Sequence, residues 1–307
     1  MLRKIKRYCI KIRNNVHSEY VNYIMKHNPM KYADMLYYNC FNKRMDWKNP
    51  KDLNEIINYL AFKTDTTIWS KLADKYLVRN YVKERGLESL LVPLLATYKS
   101  VEEINLDNLP KSFVLKWNND SGSTIIVQNK NNVKIEDLQN MLRISLSRRF
   151  GLEYAEPHYL RISPLLLAEK YITNSKEDTS ITDYKVWCLN GMPFCIFTVS
   201  NRKSLTYHAD YNVYDLHWNK IENALNISYR NTLDVQRPIH LNEMLSAAAK
   251  LADGFPQVRV DFYEASGKLY FGEMTFTSYC GRMNYFTPEY LLEMGKQVNI
   301  HDVKVVS

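Results

Sequence analysis

The stretch FPQVRVDFYEASGKLYFGEMTFT, residues 255–277, reads as one β-hairpin carrying an Arg, an Asp, a Glu and a Thr on a single face. Val258, Val260 and Phe262 alternate with Arg259, Asp261 and Tyr263, the period-two pattern of a strand with an apolar and a polar side. Across the turn at residues 264–267, Leu269, Phe271, Glu273 and Thr275 share a face of the return strand. A register symmetric about Ser266 sets Arg259 opposite Glu273, with Asp261 its diagonal neighbour at about 7–8 Å between Cα atoms. Two carboxylates at that separation can share Mg²⁺, a hard cation that takes oxygen ligands and bridges nucleotide phosphates. Burying unpaired charge is costly, so a hairpin does not collect these side chains by default. The plainer alternative is a structural Arg–Glu bridge.

The rest of the chain bounds what such a face can serve. With 307 residues, 46% hydrophobic and 24% charged, the chain has the composition of a soluble globular protein with one large domain or two to three subdomains. The cysteines at 9, 40, 188, 195 and 280 form no C-x-x-C pair, and their odd number predicts reduced thiols in a cytoplasmic protein. The histidines are scattered, which argues against a zinc site. No apolar run approaches the length of a membrane span. The net charge of +8 is concentrated at the start, where Arg3, Lys4, Lys6, Arg7, Lys11 and Arg13 occur without an acid. Leu2, Ile5, Cys9 and Ile12 recur among them at helical spacing, so residues 1–13 read as a basic amphipathic helix suited to an anionic membrane surface. The alternative is a helix docked on its own protein with its cations solvated. The remainder is nearly balanced in charge, and nucleic acid is not an expected partner.

Along the chain, residues 1 to about 90 read as mostly helical, through Tyr20, Val21, Ile24 and Met25 and then Ile56, Ile57, Leu60 and Ala61, with a joint at 46–50. Residues 71–85 read as one amphipathic helix stopped by Gly86, on which Lys75 and Arg79 form an i, i+4 cationic pair. Strands at 113–116 and 125–128 flank the loop NNDSGS (118–123), a helix follows at 135–150 and a strand at 165–172. Runs at 184–189 and 194–199 precede an irregular, aromatic-rich stretch over 207–229 and a helix at 241–252. Two α+β lobes joined near 171–183 are predicted. Lys116 ends its strand beside Ser121, Gly122 and Ser123, where an ammonium and backbone N–H donors can approach phosphate. An exposed turn is the bland alternative. Neither a Walker loop nor a G-x-G-x-x-G fingerprint occurs.

LADKYLVRNYVKERG (72–86), LPKSFVLKWNNDSGSTIIV (109–127), LLLAEKYI (165–172), DYKVWCLNGMP (183–193) and the R-x-D, hairpin, E-x-T stretch stand in an order that resembles the ATP-grasp enzymes, and most closely their teichuronopeptide-synthesis (TupA-like) branch. The resemblance covers about residues 50–290. It implies an α+β ATP-grasp fold, two lobes clamping a nucleotide: a basic helical extension over 1–48, a helical lead-in over 49–110, a small lobe with phosphate flap and hinge over 111–173, and a large lobe with the metal hairpin over 174–307. It implies ATP and Mg²⁺ as cofactors, with Asp261, Glu273 and Thr275 as metal ligands, Thr275 standing where many such enzymes have Asn. Arg259 would stabilise charge on the transferring group. Lys75 and Lys116 would reach the phosphates, Arg79 would orient its helix, and Ser121, Gly122 and Ser123 would form the flap. Glu169, Tyr171 and Ile172 would line the adenine hinge, Lys185 would bind phosphate or acceptor, and the ribose acid stays open between Glu177, Asp178 and Asp183.

The implied activity is an ATP- and Mg²⁺-dependent ligase that joins a carboxylate, a sugar uronic acid, to an amine, an amino acid, through an acyl phosphate in bacterial surface or capsular polysaccharide synthesis. The aromatic stretch 207–218 is a candidate for sugar stacking. A glycosyltransferase is the rival, although no Asp-x-Asp motif occurs in the chain. A non-catalytic nucleotide-binding module is the third reading.

Overall fold

The computed structural model describes residues 18–174, 181–203, 208–231, 233–301 and 303–305. The basic segment 1–13 and two of the ribose candidates, Glu177 and Asp178, lie outside the described residues. Helix α1 (residues 18–27) runs into α2 (Pro29–Phe41) at Asn28, whose side chain accepts the N–H of Lys31 at 3.0 Å, with Pro29 pre-set for the first helical position. Asp52 caps α3 (Leu53–Lys63) in the same way, accepting from the N–H of Glu55 at 2.9 Å.

The single helix expected over 71–85 is two short ones, α4 (Thr67–Ala73) and α5 (Val78–Glu84). The break lies at Asp74, whose backbone is extended (φ −67°, ψ 111°) and whose carboxylate accepts the N–H groups of Tyr76 at 2.8 Å and Leu77 at 3.2 Å. A short acidic side chain that satisfies backbone donors locally competes with helix continuation. Lys75 therefore leaves the helical face it was expected to share with Arg79.

The strands are β1 (Leu94–Tyr98), β2 (Phe113–Trp117), β3 (Ile125–Val127), β4 (Leu166–Lys170), β5 (Asp183–Leu189), β6 (Met192–Lys203), β7 (His208–Tyr214), β8 (Gln257–Ala265) and β9 (Lys268–Thr275). They form two antiparallel sheets, β1-β4-β2-β3 and β7-β6-β5-β8-β9. The stretch expected to be irregular thus opens with edge strand β7. Helix α6 (Ile135–Ser147) lays Leu138 and Leu142 on the smaller sheet, and the Trp117 indole donates to the Leu142 carbonyl at 3.0 Å. The short helix α7 (Phe150–Glu153) follows it.

Helix α8 (Leu241–Ala252) packs against β5, β6 and β8 through Leu241, Met244, Ala248 and Leu251, all within 0% exposure. Burial of each large side chain of this kind contributes roughly 1.5–3 kcal/mol. Val258, Val260 and Phe262 join that core, as do Leu53 and Ile57 of α3, Leu72 of α4 and Val82 of α5, while α9 (Pro288–Gln297) packs on α3. The lead-in helices therefore belong to the core of the larger sheet, whereas β1 joins the smaller one.

The hairpin register differs from the expectation, and the difference decides which side chains meet. The turn is Ser266–Gly267, both with positive φ (50° and 68°), which centres the hairpin half a residue later than Ser266. A β-bulge at Gly272 then shifts the pairing once more, so that Phe262 faces Phe271 but Asp261 faces Glu273 and Arg259 faces Thr275. The extra residue also turns the strand over: Leu269 and Phe271 join the core, and Glu273 and Thr275 share the face of Arg259 and Asp261. The turn is tied to the chain leaving β4, with the N–H of Ser266 donating to Asn174 Oδ1 at 2.9 Å and its hydroxyl to the Thr173 carbonyl at 3.0 Å.

A Cβ at position 272 would lie 2.8 Å from Tyr263 Cε2 and 3.1 Å from the Asp261 carbonyl oxygen. Gly272→Ala is expected to lower stability by about 1–3 kcal/mol by overpacking the bulge. Urea denaturation at unchanged slope checks this, and a variant as stable as the parent would show that the bulge has room to spare.

Candidate active site

The face created by the bulge carries a buried ion network. Arg259 grips Asp261 with two parallel bonds, Nε to Oδ1 at 2.6 Å and Nη2 to Oδ2 at 2.7 Å, the fork geometry that suits guanidinium and carboxylate. Its remaining donors reach Thr275 Oγ1 at 3.1 Å, the Ser278 hydroxyl, and Glu273 Oε1 at 3.5 Å. Thr275 passes a hydrogen bond on to Glu273 Oε1 at 3.0 Å. From the neighbouring strand Lys185 meets Asp261 Oδ2 at 2.5 Å and Asp183 at 3.5 Å, and Asp183 pairs in turn with Arg202. Asp261 is 1% exposed. Burial works against its charged form, but Arg259 and Lys185 outweigh it and hold the carboxyl below the usual range.

A second cluster sits on the smaller sheet. Glu169 receives Lys116 at 2.6 Å and Arg79 at 3.4 Å, and Arg79 also donates to the Val92 carbonyl at 2.9 Å. Tyr171 and Ile172 follow β4, half-buried, on the way to the tethered turn. Lys75 stands between the clusters. The break at Asp74 lets its backbone N–H donate to the Asn118 carbonyl at 3.3 Å and its ammonium to the Asp120 carbonyl, at the root of the Ser121–Gly122–Ser123 loop. Burial lowers its pKa, against the opposing pull of Glu273 and Asp120, with Lys116 adding to the lowering. Lys75 is therefore within electrostatic reach of both the hairpin face and the Lys116–Glu169 pair. Ser123 closes the loop on Asp120 Oδ1 at 2.6 Å, while Ser121 and Gly122 are exposed, Gly122 with φ +85°.

Beside the hairpin face lies a cavity of about 1020 Å³. Of the residues singled out in the sequence, Ser121, Gly122, Lys185, Arg259, Glu273 and Thr275 line it, whereas Lys75, Lys116, Ser123, Glu169, Tyr171, Ile172 and Asp261 do not. Its wall also contains residues that pattern reading passes over, among them Glu156, Arg202, Ser278 and Arg282. These are single side chains in loops or at a strand end, without periodicity. Glu156 is 3% exposed and accepts from the Thr277 hydroxyl and, at 3.4 Å, from the Cys280 thiol. Burial pushes its pKa up to about 7, although those two donors favour the ionised form.

Among the described residues no three His, Cys, Asp or Glu side chains form a ready metal cage. Asp261, Glu273 and Thr275 offer oxygens of the kind a hard cation takes, and the two carboxylates face each other across the pair of strands; both oxygens of Asp261 are engaged by Arg259 and Lys185, while the Glu273 side chain is 30% exposed. Its Oε1 is held by Thr275 and Arg259, and its Oε2 takes no hydrogen bond from a described residue.

The chain matches the TupA-like ATP-grasp family over residues 55–299, and it belongs to that family. It is an ATP-dependent ligase with the two-sheet α+β architecture of the ATP-grasp fold. Among solved structures it is similar to the D-alanine–D-alanine ligase of Bacillus anthracis complexed with ATP, at 17% identity and TM-score 0.44, over 77% of this chain and 69% of that one. It is similar also to the D-alanine–D-alanine ligase of Helicobacter pylori, at 13% identity and TM-score 0.34, over 79% and 62%. A third is the ATP-grasp ligase PsnB complexed with minimal precursor, Mg and ADP, at 12% identity and TM-score 0.39, over 79% and 66%. A comparison with curated protein sequences returned no match.

A carboxyl raised from 4.5 to about 7 holds its proton in the folded state after the unfolded chain has released it, so stability falls as pH rises from about 4.5 to 7. Glu156→Gln cannot ionise and removes that dependence. Unfolding free energies of variant and parent are expected to differ by a constant amount below about pH 4 and to shift in the variant's favour as pH rises to 8, by on the order of 3 kcal/mol. Parallel pH profiles would contradict the raised carboxyl.

Proposed function

We propose that this member of the TupA-like ATP-grasp family joins the carboxylate of a sugar uronic acid to an amino acid amine, at the expense of ATP, in bacterial surface or capsular polysaccharide synthesis. The observation that carries the reading is the acid pair Asp261 and Glu273 beside a buried guanidinium at the edge of a large cavity. In the first step a carboxylate oxygen of the acceptor attacks the γ-phosphorus, the bond to ADP breaks, and an acyl phosphate forms. In the second the amine nitrogen attacks the carbonyl carbon, inorganic phosphate departs, and the nitrogen gives up its proton to solvent. No protein nucleophile is required, so the chain contributes positioning and charge.

In this reading Arg259 faces the charge that develops on the transferring group, and it is preorganised because Asp261, Thr275 and Ser278 already fix its guanidinium. Lys75 and Lys116 reach the phosphates from the other lobe, with Glu169 setting the position of Lys116. Residues 121–123 cover the phosphates as a flap, and the chain at Glu169, Tyr171 and Ile172 reads the adenine edge. Lys185 serves the phosphate or acceptor side. Asp261, Glu273 and Thr275 would hold Mg²⁺, which supplies neutralisation of the phosphate charge when bound. The division at 48, 110 and 173 into extension, lead-in, small lobe and large lobe is part of the same proposal.

Glu273→Gln keeps the shape of a half-exposed side chain and removes its charge. Mg²⁺-dependent ADP formation is expected to fall by roughly two orders of magnitude or more with an unchanged circular dichroism spectrum. Full turnover in that variant would defeat the metal assignment. Asp261→Asn tests it less cleanly, since it also strips two buried cations of their partner at a cost of about 3–5 kcal/mol.

Residues 1–13 are proposed to attach the protein peripherally to the cytoplasmic membrane face; no described helix is long and apolar enough to cross a membrane. Co-sedimentation with anionic liposomes is expected to recover the full chain and not a chain beginning at Asn14. Equal recovery ends this part of the proposal.

A further inference from the structure

The cavity beside the hairpin is lined by four cations, Lys185, Arg202, Arg259 and Arg282, against the carboxyls of Glu156 and Glu273. Three of the cations are committed to acids of the sheet, Lys185 and Arg259 to Asp261 and Arg202 to Asp183. Arg282 differs. It is half-buried, and no described carboxylate lies within ion-pair distance of it. The nearby Glu156 holds its proton up to about neutral pH and engages Thr277 and Cys280. A guanidinium stays charged at every working pH, so a partly desolvated one favours an anionic neighbour.

Its placement is held against strain. Tyr279, Cys280 and Gly281 all have positive φ, at 48°, 58° and 62°, a run that costs on the order of 1–3 kcal/mol at each non-glycine residue unless the surroundings impose it. The surroundings do. Asn58 Nδ2 donates to the Gly281 carbonyl at 3.1 Å, Met283 N–H donates to Asn54 Oδ1 at 2.9 Å, and Ser278 is held by Arg259. A Cβ at position 281 would come within 2.2 Å of Asn58 Nδ2, so the close approach needs glycine. The loop sets Arg282 and Tyr279, the latter 59% exposed, at the rim of a wall of rings. Tyr285 stacks on Phe197 at 4.9 Å and meets Tyr279 edge-on at 5.7 Å, and Phe197 stacks on Tyr211 at 5.6 Å. Such a wall beside a cation that has no acid partner among the described residues suits a ring-shaped, acidic ligand.

We infer that Arg282 and this aromatic wall form an acceptor subsite for an acidic glycan of at least two carboxylated sugars, one carboxylate reacting at Arg259 and Glu273 while a neighbouring one pairs with Arg282. The inference rests on the ligase reading and extends it from a single uronic acid to an oligomer. Arg282 is a specificity-determining residue that leaves the reacting atoms to others.

Isothermal titration of the full chain, without nucleotide, with galacturonic acid, trigalacturonate and the neutral trisaccharide maltotriose tests this. Trigalacturonate is expected to bind at least about tenfold more tightly than the monomer, and maltotriose not measurably. Arg282→Gln is expected to abolish the preference for the trimer, and Arg282→Lys to restore part of it, which separates loss of the anion partner from loss of fold. Tyr279→Ala, at an exposed ring, weakens trimer and monomer together. An unchanged trimer preference in Arg282→Gln, or equal affinity of the parent for trimer and monomer, overturns the subsite. The ligase reading stands or falls separately on ADP formation: trimer binding through Arg282 with no ADP formed under any acceptor would refute the ligase and keep the subsite, and ADP formation indifferent to Arg282 would do the reverse.

Discussion

The structure depends on a guanidinium and a carboxylate two residues apart on one strand, Arg259 and Asp261, both withdrawn from water. Such a pair is tolerable only when the desolvation of each ion is met by excellent geometry and by partners for the leftover donors and acceptors. Every neighbour supplies part of that. Lys185 takes the outer side of Asp261, Thr275 and Ser278 take the spare donors of Arg259, and Asp183 and Arg202 continue the alternation of sign across the sheet. The bulge at Gly272 is what admits Glu273 and Thr275 to this array, because without it their side chains would point into the core with Met274 and Phe276 on the wrong face.

Much of this was legible in the sequence, and the misses have physical causes. Alternation identified β8 and the R-x-D residues, and the helical stripe of 241–252 gave α8 with the bounds observed. Register was not legible. Pattern counting assumes one residue against one, and neither the two-residue turn nor the bulge leaves a mark in alternation except the glycines at 267 and 272. The break at Asp74 was hidden because the apolar positions on either side keep helical spacing, while the event that ends the helix is a side-chain to backbone bond. Strand β7 was obscured by aromatic residues that suit a strand and a loop alike. Glu156 and Arg282 carried no periodic signal, and only three-dimensional packing brings them to the wall of the cavity.

The cations of the two lobes are each paired with an acid of their own lobe, Lys116 with Glu169 and Lys185 with Asp261. Lys75 and Arg282 have no such partner among the described residues, Lys75 being held by carbonyl oxygens at the base of the loop 118–123 and shifted by its burial toward the neutral form. In the proposed reaction a polyanion between the lobes would meet most of these cations already oriented by their partners. Little side-chain ordering is left to be done on binding, which is the usual route by which preorganised sites avoid entropic cost.

The tether between the Ser266 turn and residues Thr173 and Asn174 has a mechanical meaning. The far tip of the long hairpin is latched to the only described stretch of chain that leads out of β4 toward the other sheet. Because β8 is paired along β5 from Gln257 to Tyr263, only the tip beyond it projects from the sheet, and parting the two sheets at that point would sever both hydrogen bonds unless the tip bent with the chain it holds.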